Sequence, residues 1–471
     1  MRNNEGKAGV YIVVLAVIIL LAAVPWYFII VGNLGSNDLN TKPPAPSEEP
    51  SDTDPVDPDE EDDPPDESPP PENGHEGGQV PGFEIPTEYN VDSIRVANPD
   101  LFRDLNMIAA ENNAVAVSLA VFDGETGEYY TYEFGHADTE EKRVVDTDTK
   151  FRVASLAKLV TAICAMTLVD EGLVDLDTDI SVYLGYEVVN VNYPGTAITT
   201  RMLMQHTSSI FDSGVFQQSR DNNSSESLRT LLERGSSFRH NEPGTQFQYT
   251  NFGYSVIGAI CENVSGKSLD TFAREVLFEP LGIDASFIPS KMHDTENIAV
   301  IYNERHVVTQ TVASQLEAKE SSTLGHDLHL AQGNLTINML DYAKILAMLG
   351  NGGVFENTRI LTQESVSAIH NTDVEGTSYK QGLATRYSFG DFVPELGFYW
   401  HTGSGYGLYA QYIFVTNSNT NRGVVVTTTG ASTDREPNGM VSICTDLSRL
   451  IWNEWDSLYR DDQYGEEQDF E

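Results

Sequence analysis

The segment FRVASLAKLVTAICAMTLVDEGLVDLDTDISVYL at residues 151–184 decides the expected fold and chemistry of the chain. Ser155 is followed by a dense run of apolar residues that reaches Leu168, which predicts a buried helix beginning at the serine. Lys158 stands three residues after Ser155, so one helical turn places the two side chains on the same face. The positive end of such a helix also favours negative charge that develops at the serine.

The spacing of Ser155 and Lys158 is suited to nucleophilic catalysis. A serine hydroxyl is a poor nucleophile at neutral pH unless a base takes its proton, and a desolvated lysine amine can serve as that base. The competing interpretation is a serine that caps the helix and a lysine that faces solvent. The spacing alone does not decide between them, because it also occurs by chance.

Outward from this segment, both ends of the chain contain predicted strands. A β-strand pattern appears early in the chain and again near its end, each time beside an amphipathic helix. The early elements are a helix at 98–111, a strand at 114–122, a turn at 123–124 and a strand at 128–134. The late elements are strands at 408–415 and 423–429 and a helix at 438–455.

These patterns predict an α/β (α+β) fold in which strands from both chain ends share one antiparallel sheet flanked by helices. The long middle of the chain, residues 160–385, has mostly helical and loop-like patterns and is expected to form an inserted all-helical region.

Ahead of this domain, residues 9–31 are almost wholly apolar and long enough to cross a bilayer as a helix. Arg2 and Lys7 precede them, so residues 1–8 are expected in the cytoplasm and the rest of the chain outside it. A cleavable signal peptide is the competing interpretation.

Three other segments complete the predicted organisation. Residues 32–95 are rich in proline and acidic residues and predict a disordered, extended linker. Residues 96–458 are the predicted catalytic domain, and residues 459–471 form an acidic tail.

Composition excludes several classes of protein. The formal net charge of −43 opposes binding to nucleic acid. Cys164, Cys261 and Cys444 are widely spaced in apolar stretches without CxxC or Cys/His clusters, which predicts buried free thiols and no metal site. Nothing in the chain indicates a cofactor, and its oligomeric state is left open.

Three more segments extend the signal of the serine region. They are ITTRMLMQHTSSI at 198–210, EPGTQFQYTNFGYSVIGAICENVSGKSLDTFAREVLFEPLGI at 242–283, and WHTGSGYG at 400–407. Together with the Ser-x-x-Lys motif, their order and spacing resemble the serine β-lactamase and penicillin-binding-protein superfamily, in its class C β-lactamase and DD-peptidase branch. The resemblance covers nearly all of residues 98–458 and implies a β-lactamase/transpeptidase-like fold.

The resemblance implies roles for the first two motifs. Ser155 is expected to be the nucleophile, with Lys158 and Tyr249 handling its proton. Asn251, from the Tyr-x-Asn motif, is expected to orient the lysine and to contact substrate. A phenol needs a neighbouring cation to become a useful base at neutral pH. His206 is expected to support the fold.

The third motif is expected to form the wall that binds substrate. By resemblance, His401, Thr402 and Gly403 bind substrate, and the amides of Ser155 and Ser404 form the oxyanion hole. The motif departs from the Lys-Thr-Gly of most β-lactamases, because His401 replaces the lysine and removes a permanent positive charge. The departure favours a peptidase or an esterase over a β-lactamase.

The sequence therefore predicts a membrane-anchored, extracytoplasmic serine hydrolase that acts through an acyl-enzyme on an amide or ester. Its substrate is expected to be a small molecule or peptide, and a D-alanyl carboxypeptidase-like activity on peptidoglycan peptides suits the topology. Alternatives are an esterase or β-lactamase of the same fold, and a non-hydrolytic penicillin-binding sensor.

Overall fold

The computed structural model describes residues 90–221, 227–376, 378–390, 396–417 and 420–458. The predicted cytoplasmic end, membrane helix and acidic tail, and nearly all of the predicted linker, lie outside these residues. Within the described ranges, no helix has the length and hydropathy that crossing a bilayer requires.

Strands occupy both ends of the described chain and short stretches of its middle. In chain order they are β1 Asn90–Ser93, β2 Ala116–Asp123, β3 Glu128–Asp138, β4 Arg143–Val144, β5 Phe151–Arg152, β6 Ile301–Tyr302, β7 Val308–Gln310, β8 Thr336–Ile337, β9 Val354–Phe355, β10 Thr358–Arg359, β11 Val374–Glu375, β12 Lys380–Gln381, β13 Arg386–Phe389, β14 Gly397–Gly405, β15 Leu408–Asn417 and β16 Thr420–Thr429.

Helices fill most of the intervals between these strands. In chain order they are α1 Ile94–Ala97, α2 Pro99–Glu111, α3 Ala157–Asp170, α4 Ser181–Leu184, α5 Thr200–Met204, α6 Gly214–Asp221, α7 Leu228–Leu232, α8 Phe252–Ser265, α9 Leu269–Ala273, α10 Val312–Leu316, α11 Leu330–Gly333, α12 Met339–Gly350, α13 Gln363–His370, α14 Ser442–Asn453 and α15 Trp455–Leu458. Single 3-10 turns at Ala154–Leu156, Gly235–Ser237 and Pro289–Lys291 and a π-helical turn at Arg274–Phe278 complete them.

Strands from the two chain ends pair within one sheet, as the sequence predicts. The strand order is β1-β3-β2-β16-β15-β14-β13-β12-β11, with β4 paired to β3. The two chain ends meet where β2 pairs with β16, antiparallel from Ala116 opposite Thr429 to Asp123 opposite Arg422. The predicted sheet flanked by helices is confirmed.

Burial on both faces of β2 shows why the centre of the sheet forms here. Every residue of the strand is buried, and successive side chains alternate between the faces. Val117, Leu119 and Val121 pack with apolar residues of α2 and α14. Ala116, Ala120 and Phe122 face the main core, which includes α3, α8 and α12. The sheet therefore separates two hydrophobic layers.

The N-terminal helix has the amphipathic form that its sequence predicts. Leu101, Leu105 and Ala109, each four residues apart, are its buried residues. The side-chain oxygen of Asn98 accepts a hydrogen bond from the amide of Leu101 at 3.0 Å and caps the helix.

Two predictions at the start of the domain need correction. The predicted linker extends to residue 95, but β1 begins at Asn90 and Ile94 is fully buried, so the folded part begins earlier. The sheet is also not purely antiparallel, because β1 pairs in parallel with β3. Because β3 is antiparallel to β2, β1 runs parallel to β3 and antiparallel to β2.

The inserted region is mostly helical but not all-helical, which corrects the sequence prediction. Two-stranded ladders join β5 to β8, β6 to β7 and β9 to β10. The first ladder pairs Phe151 with Ile337 and Arg152 with Thr336. These pairs satisfy backbone groups where the chain enters and leaves the helical layer, and the first of them fixes the segment just before Ser155.

The three cysteines are free and buried, as predicted. Each lies within a helix, Cys164 in α3, Cys261 in α8 and Cys444 in α14. Burial raises the pKa of the Cys164 and Cys444 thiols to about 12. The thiols therefore act as small apolar groups in the core.

A buried carboxyl on α8 anchors the loop that follows α10. Glu262 is 3% exposed, and its two oxygens accept hydrogen bonds from the amides of Leu269 at 3.0 Å and Gly325 at 2.7 Å. Burial raises the pKa of Glu262 from 4.5 to about 7, with a smaller contribution from the charge of Asp327.

This raised pKa predicts a pH-dependent stability. Between pH 4.5 and about pH 7, the folded chain keeps a proton on Glu262 that the unfolded chain has released. The contribution of this proton to the unfolding free energy is therefore complete below pH 4.5 and is lost as the pH rises to about 7. The loss amounts to about 3 kcal/mol of unfolding free energy. Glu262→Gln has no titratable group at this position. As the pH rises from 4.5 to 8, the unfolding free energy of the variant, measured with denaturant, should therefore increase by this amount relative to that of the parent.

Glu279→Gln is a matched control, because Glu279 is exposed on the surface. Its unfolding free energy should follow that of the parent across the same pH range. A Glu262→Gln protein that also follows the parent would contradict the assignment.

Candidate active site

Ser155 lies in a strained turn between β5 and α3. The 3-10 turn Ala154–Leu156 leads directly into α3, so the α-helix begins two residues after the serine at which the sequence predicts its start. Ala154 has a φ of 47°, a left-handed conformation that is uncommon for a residue with a Cβ. Such strain persists where surrounding structure enforces it, and it is found often at functional sites.

Lys158 is fully buried in the first turn of α3 and makes three polar contacts. Its Nζ lies 3.1 Å from Ser155 Oγ, 2.9 Å from Asn251 Oδ1 and 2.6 Å from the carbonyl oxygen of Gln332. The interpretation of Lys158 as a solvent-facing residue is therefore wrong.

The three partners of Lys158 determine what the amine can do. An amide oxygen and a carbonyl oxygen can only accept, so Asn251 and Gln332 take two of its N–H groups. The third position faces Ser155 Oγ. An ammonium donates a hydrogen bond there, whereas a neutral amine presents a lone pair to the serine proton. The site can hold either form without leaving a buried polar group unpaired.

Tyr249 reaches the same serine from another direction. Its hydroxyl donates to Ser155 Oγ at 2.8 Å, and Lys158 Nζ lies 5.1 Å from the centre of its ring. His206 packs against the phenol with ring centres 4.5 Å apart. The Nδ1 of His206 accepts a hydrogen bond from the Thr250 amide, and burial holds the pKa of this imidazole well below its usual value.

Asp212 fixes the orientation of the Asn251 side chain. Its Oδ2 accepts from Asn251 Nδ2 at 2.8 Å, so the amide must turn its oxygen toward Lys158. The same carboxylate accepts from the amides of Asn251 and Phe252 and from the Thr250 hydroxyl, each at 2.8 Å. It thereby also caps the N-terminus of α8, where negative charge is favoured.

The strand β14 forms a wall beside the serine. Gly403 is required there because a Cβ at this position would lie 2.3 Å from the carbonyl oxygen of Val153. No side chain can be accommodated without moving the backbone of the serine turn. Close packing of two backbone segments is therefore the reason for glycine at this position.

Ser404 presents its amide to the free edge of β14. The two-residue turn 406–407 has positive φ at both residues, the geometry of a tight hairpin. The flanking pair Gly405 and Leu408 is then hydrogen-bonded, so Ser404, the next residue, directs its amide away from β15. β13 pairs with β14 only over the stretch opposite Gly397 to Trp400, so it does not cover this edge.

A cavity of about 740 Å³ opens at Ser155. Its lining includes Ser155, Tyr249, Asn251, Thr402 and Ser404, so these predicted site residues surround one space. The volume suits a small molecule or a short peptide.

His401 and Gly403 do not belong to this lining, which revises their predicted contact with substrate. His401 is 1% exposed and lies beside Tyr249, with ring centres 6.2 Å apart. Its Nδ1 donates to the carbonyl of Thr402 at 2.8 Å. Burial, together with the charges of Arg386 and Lys158, holds the pKa of His401 well below its usual value, so the imidazole is neutral.

Arg386 on β13 supplies a cation that sequence reasoning missed. It lines the cavity, and its guanidinium carbon lies 5.7 Å from the ring centre of Tyr249. It also packs over Tyr379 and Trp400, at 4.6 and 5.0 Å. Its position follows from the pairing of Arg386 with Trp400 in the sheet, a register that the sequence does not display.

A serine contacted by both a lysine amine and a phenol, on the border between a mixed sheet and a helical insertion, defines a β-lactamase-like serine hydrolase. Agreement with the family's sequence pattern extends well beyond the site itself. The model of the β-lactamase family matches residues 105–442, and the chain belongs to that family.

Two related proteins match part of the chain at low sequence identity. Penicillin-binding protein 4* of Bacillus subtilis is 28% identical over 174 residues, which cover 36% of this chain and 37% of that protein. Protein flp of Staphylococcus aureus is 25% identical over 172 residues, covering 36% and 34%. The chain thus matches about a third of the length of each of these relatives.

Solved structures at 18% identity share the fold. A penicillin-binding protein homologue from Pyrococcus abyssi, described as octameric, has a TM-score of 0.60, with 76% of each chain covered. A class C β-lactamase has a TM-score of 0.59, with 76% of this chain and 96% of that chain covered. A β-lactamase/D-alanine carboxypeptidase from Pseudomonas syringae has a TM-score of 0.57, with 75% and 98% covered.

The role of Asp212 can be tested by exchanging its chemistry with that of its partner. In Asp212→Asn, an amide replaces the carboxylate and cannot accept every hydrogen bond that converges on it, so Asn251 loses its fixed orientation. We expect kcat to fall at least about tenfold, because Lys158 loses a fixed acceptor.

In the double variant Asp212→Asn with Asn251→Asp, the new carboxylate at position 251 accepts from Lys158. The new amide at position 212 donates to that carboxylate. The double variant should recover part of the lost kcat and show a changed pH–rate profile, because a carboxylate now lies next to the amine. A purely structural role for Asp212 would give no such recovery. Asp177→Asn, which alters an exposed ion pair with Arg201, is the control and should leave kcat unchanged.

Proposed function

We propose that the protein hydrolyses an amide or ester through an acyl-enzyme on Ser155. One observation carries the proposal: Ser155 Oγ lies within 3.1 Å of Lys158 Nζ and 2.8 Å of the Tyr249 hydroxyl. A serine that shares two groups able to move its proton, at the edge of a cavity, has the arrangement of an activated nucleophile.

In the first step, Ser155 Oγ forms a bond with the substrate carbonyl carbon and releases its proton to the Lys158–Tyr249 pair. The carbonyl oxygen gains the electron pair of the broken π bond and is held by the amides of Ser155 and Ser404. The tetrahedral species then collapses, the bond to the leaving group breaks, and the pair returns the proton to the leaving nitrogen or oxygen.

Water completes the cycle by the same route. It loses a proton to the Lys158–Tyr249 pair as its oxygen bonds to the acyl carbon. Ser155 Oγ then departs and recovers a proton, which releases the acid. The pair acts as one unit, so its protons belong to both groups.

Arg386 supports a substrate whose leaving group carries a carboxylate. The guanidinium lies next to Tyr249, which delivers the proton to the leaving group, and arginine binds carboxylates with good geometry. Arg386 thus supplies the positive charge that the neutral His401 lacks. A peptide that ends in a free carboxylate, as in a D-alanyl carboxypeptidase-like reaction, fits this arrangement better than a neutral ester. A β-lactam, which also carries a carboxylate, is the second candidate.

The proposal predicts that Ser155→Ala abolishes turnover. Peptides ending in D-Ala-D-Ala, chromogenic esters and cephalosporins should lose at least about 1,000-fold in kcat/KM, because the nucleophile is absent. In the parent protein, penicillin should add its mass covalently to Ser155, as intact-protein and peptide mass spectrometry can show.

Two comparisons sharpen this test. A peptide with an amidated C-terminus should be a poorer substrate than the free acid, because Arg386 then has no carboxylate to bind. Ser314→Ala, on a solvent-exposed turn of α10, serves as a matched control and should retain full activity. A Ser155→Ala protein as active as the parent would refute the proposed mechanism.

We also propose that residues 9–31 anchor the protein in the membrane with the catalytic domain outside the cytoplasm. The length of the apolar segment and the positive charges before it support this topology. In intact cells that make the full chain, external protease should remove the domain, and deletion of residues 9–31 should release the protein from the membrane fraction. Protection of the domain from protease would contradict the topology.

A further inference from the structure

The charges that line the cavity differ from those of the rest of the chain. The full sequence has 71 acidic and 28 basic residues. Among the described residues of the lining, two are arginines, Arg152 and Arg386, and none is aspartate or glutamate. A cavity with this charge attracts anions in spite of the strongly negative protein around it.

The two arginines stand at different ends of the substrate wall. One end of the wall is at His401, which lies beside Tyr249, and Tyr249 in turn lies beside Arg386. From there β14 passes the nucleophile and ends at the turn that contains Tyr406. The guanidinium carbon of Arg152 lies 5.0 Å from the centre of the Tyr406 ring. At about 3.3 Å per residue, the chain extends for roughly 13 Å from Thr402 in β14 to Tyr406 in the turn that follows. Ser404 lies midway between these two residues.

The direction of the chemistry assigns a different part of the substrate to each end. Tyr249 returns the proton to the leaving group, so the leaving group lies at the end that holds Arg386. The carbonyl occupies the position between the amides of Ser155 and Ser404. The acyl part must then extend toward Tyr406 and Arg152.

Two neutral oxygens help to hold Arg152 in place. Its Nε donates to the carbonyl oxygen of Gly333 at 3.0 Å, and its Nη1 donates to Gln310 Oε1 at 3.2 Å. Tyr406 is a turn residue with a φ of 61°. Its ring packs against the guanidinium, and the residue is 55% exposed. These contacts set the plane of a half-buried guanidinium on the cavity wall, which is the arrangement that pre-organises a carboxylate site.

A structural role, in which Arg152 only braces β5 against the end of α11, explains the contact with Gly333. Gly333 also lines the cavity, so this contact brings Arg152 to the cavity wall under either role. The two roles differ in what they predict for substrates of different charge.

We propose that Arg152 and Tyr406 form a second anion subsite, which binds a carboxylate on the acyl part of the substrate. The inference rests on the proposed acyl transfer at Ser155. The natural substrate then carries a negative charge on both sides of the bond that is cleaved, one bound by Arg386 and one by Arg152.

Two depsipeptides that differ in one group test the subsite. N-succinyl-D-Ala-D-lactate has a carboxylate on its acyl part, and N-succinamoyl-D-Ala-D-lactate has a neutral amide in its place. For the full-length parent protein, we expect kcat/KM to be about tenfold higher for the succinyl compound, mainly through KM, because a charge-assisted hydrogen bond forms. In Arg152→Gln, the preference should fall to about twofold or less.

Three further variants separate this effect from general damage. Arg386→Gln should slow both compounds alike and keep the preference for the succinyl group. Arg152→Lys, which keeps the charge, should retain part of the preference even if Arg152→Gln folds poorly. Arg201→Gln, in the exposed ion pair with Asp177, should behave as the parent. A parent protein without preference, or an Arg152→Gln protein with undiminished preference, would overturn the subsite.

Binding to the Ser155→Ala protein distinguishes failure of the subsite from failure of the proposed reaction. Calorimetry should give a Kd about tenfold lower for N-succinyl-D-Ala-D-Ala than for its succinamoyl counterpart. If the parent hydrolyses neither depsipeptide but this ratio holds, the reaction is wrong and the subsite stands. If both are hydrolysed and the two Kd values are equal, the subsite is wrong and the reaction stands.

Discussion

The buried amine of Lys158 is the group on which the rest of the site depends. A charged or polar nitrogen without contact to water is costly unless hydrogen bonds replace its hydration. Here the replacements come from three separate parts of the fold: the Ser155 hydroxyl, the Asn251 amide at the start of α8, and the Gln332 carbonyl at the end of α11. Moving any one of these elements would leave a buried polar group unpaired, so the requirement ties the helices together around the serine.

The sheet and the helical layer contribute different things to this arrangement. The helical layer supplies the proposed proton-transfer groups, because Ser155 lies in the turn before α3, Lys158 lies in its first turn, and Tyr249 and Asn251 precede α8. The sheet supplies a wall of the cavity, through β14 and the arginine of β13, against which substrate is proposed to lie. Gly403 allows the two parts to approach, since any larger residue would collide with the backbone before Ser155. The site is therefore formed by a contact between the two layers and not by either layer alone.

The sequence predicts those parts of the site that follow from local spacing or from a compact motif. Lys158 reaches Ser155 through one helical turn, and the strands of both chain ends stand out as apolar segments beside turns and amphipathic helices. Arg386, Asp212 and Arg152 were not predicted. Each has an ordinary local context, and its role arises from strand register or from a loop folded against α8. The short β1 was missed because four residues at the edge of an acidic, proline-rich stretch carry little pattern.

The buried cysteines have a practical consequence for a protein expected to work outside the cytoplasm. A thiol reacts with oxidants and alkylating agents as the thiolate, and the folded chain suppresses that form at Cys164 and Cys444 by burial. The native protein should then tolerate an oxidising environment without forming mixed disulfides, whereas an opened chain exposes three reactive sulfurs at once. Labelling by a thiol reagent would consequently count the molecules that have unfolded, so the chain carries its own reporter of kinetic stability.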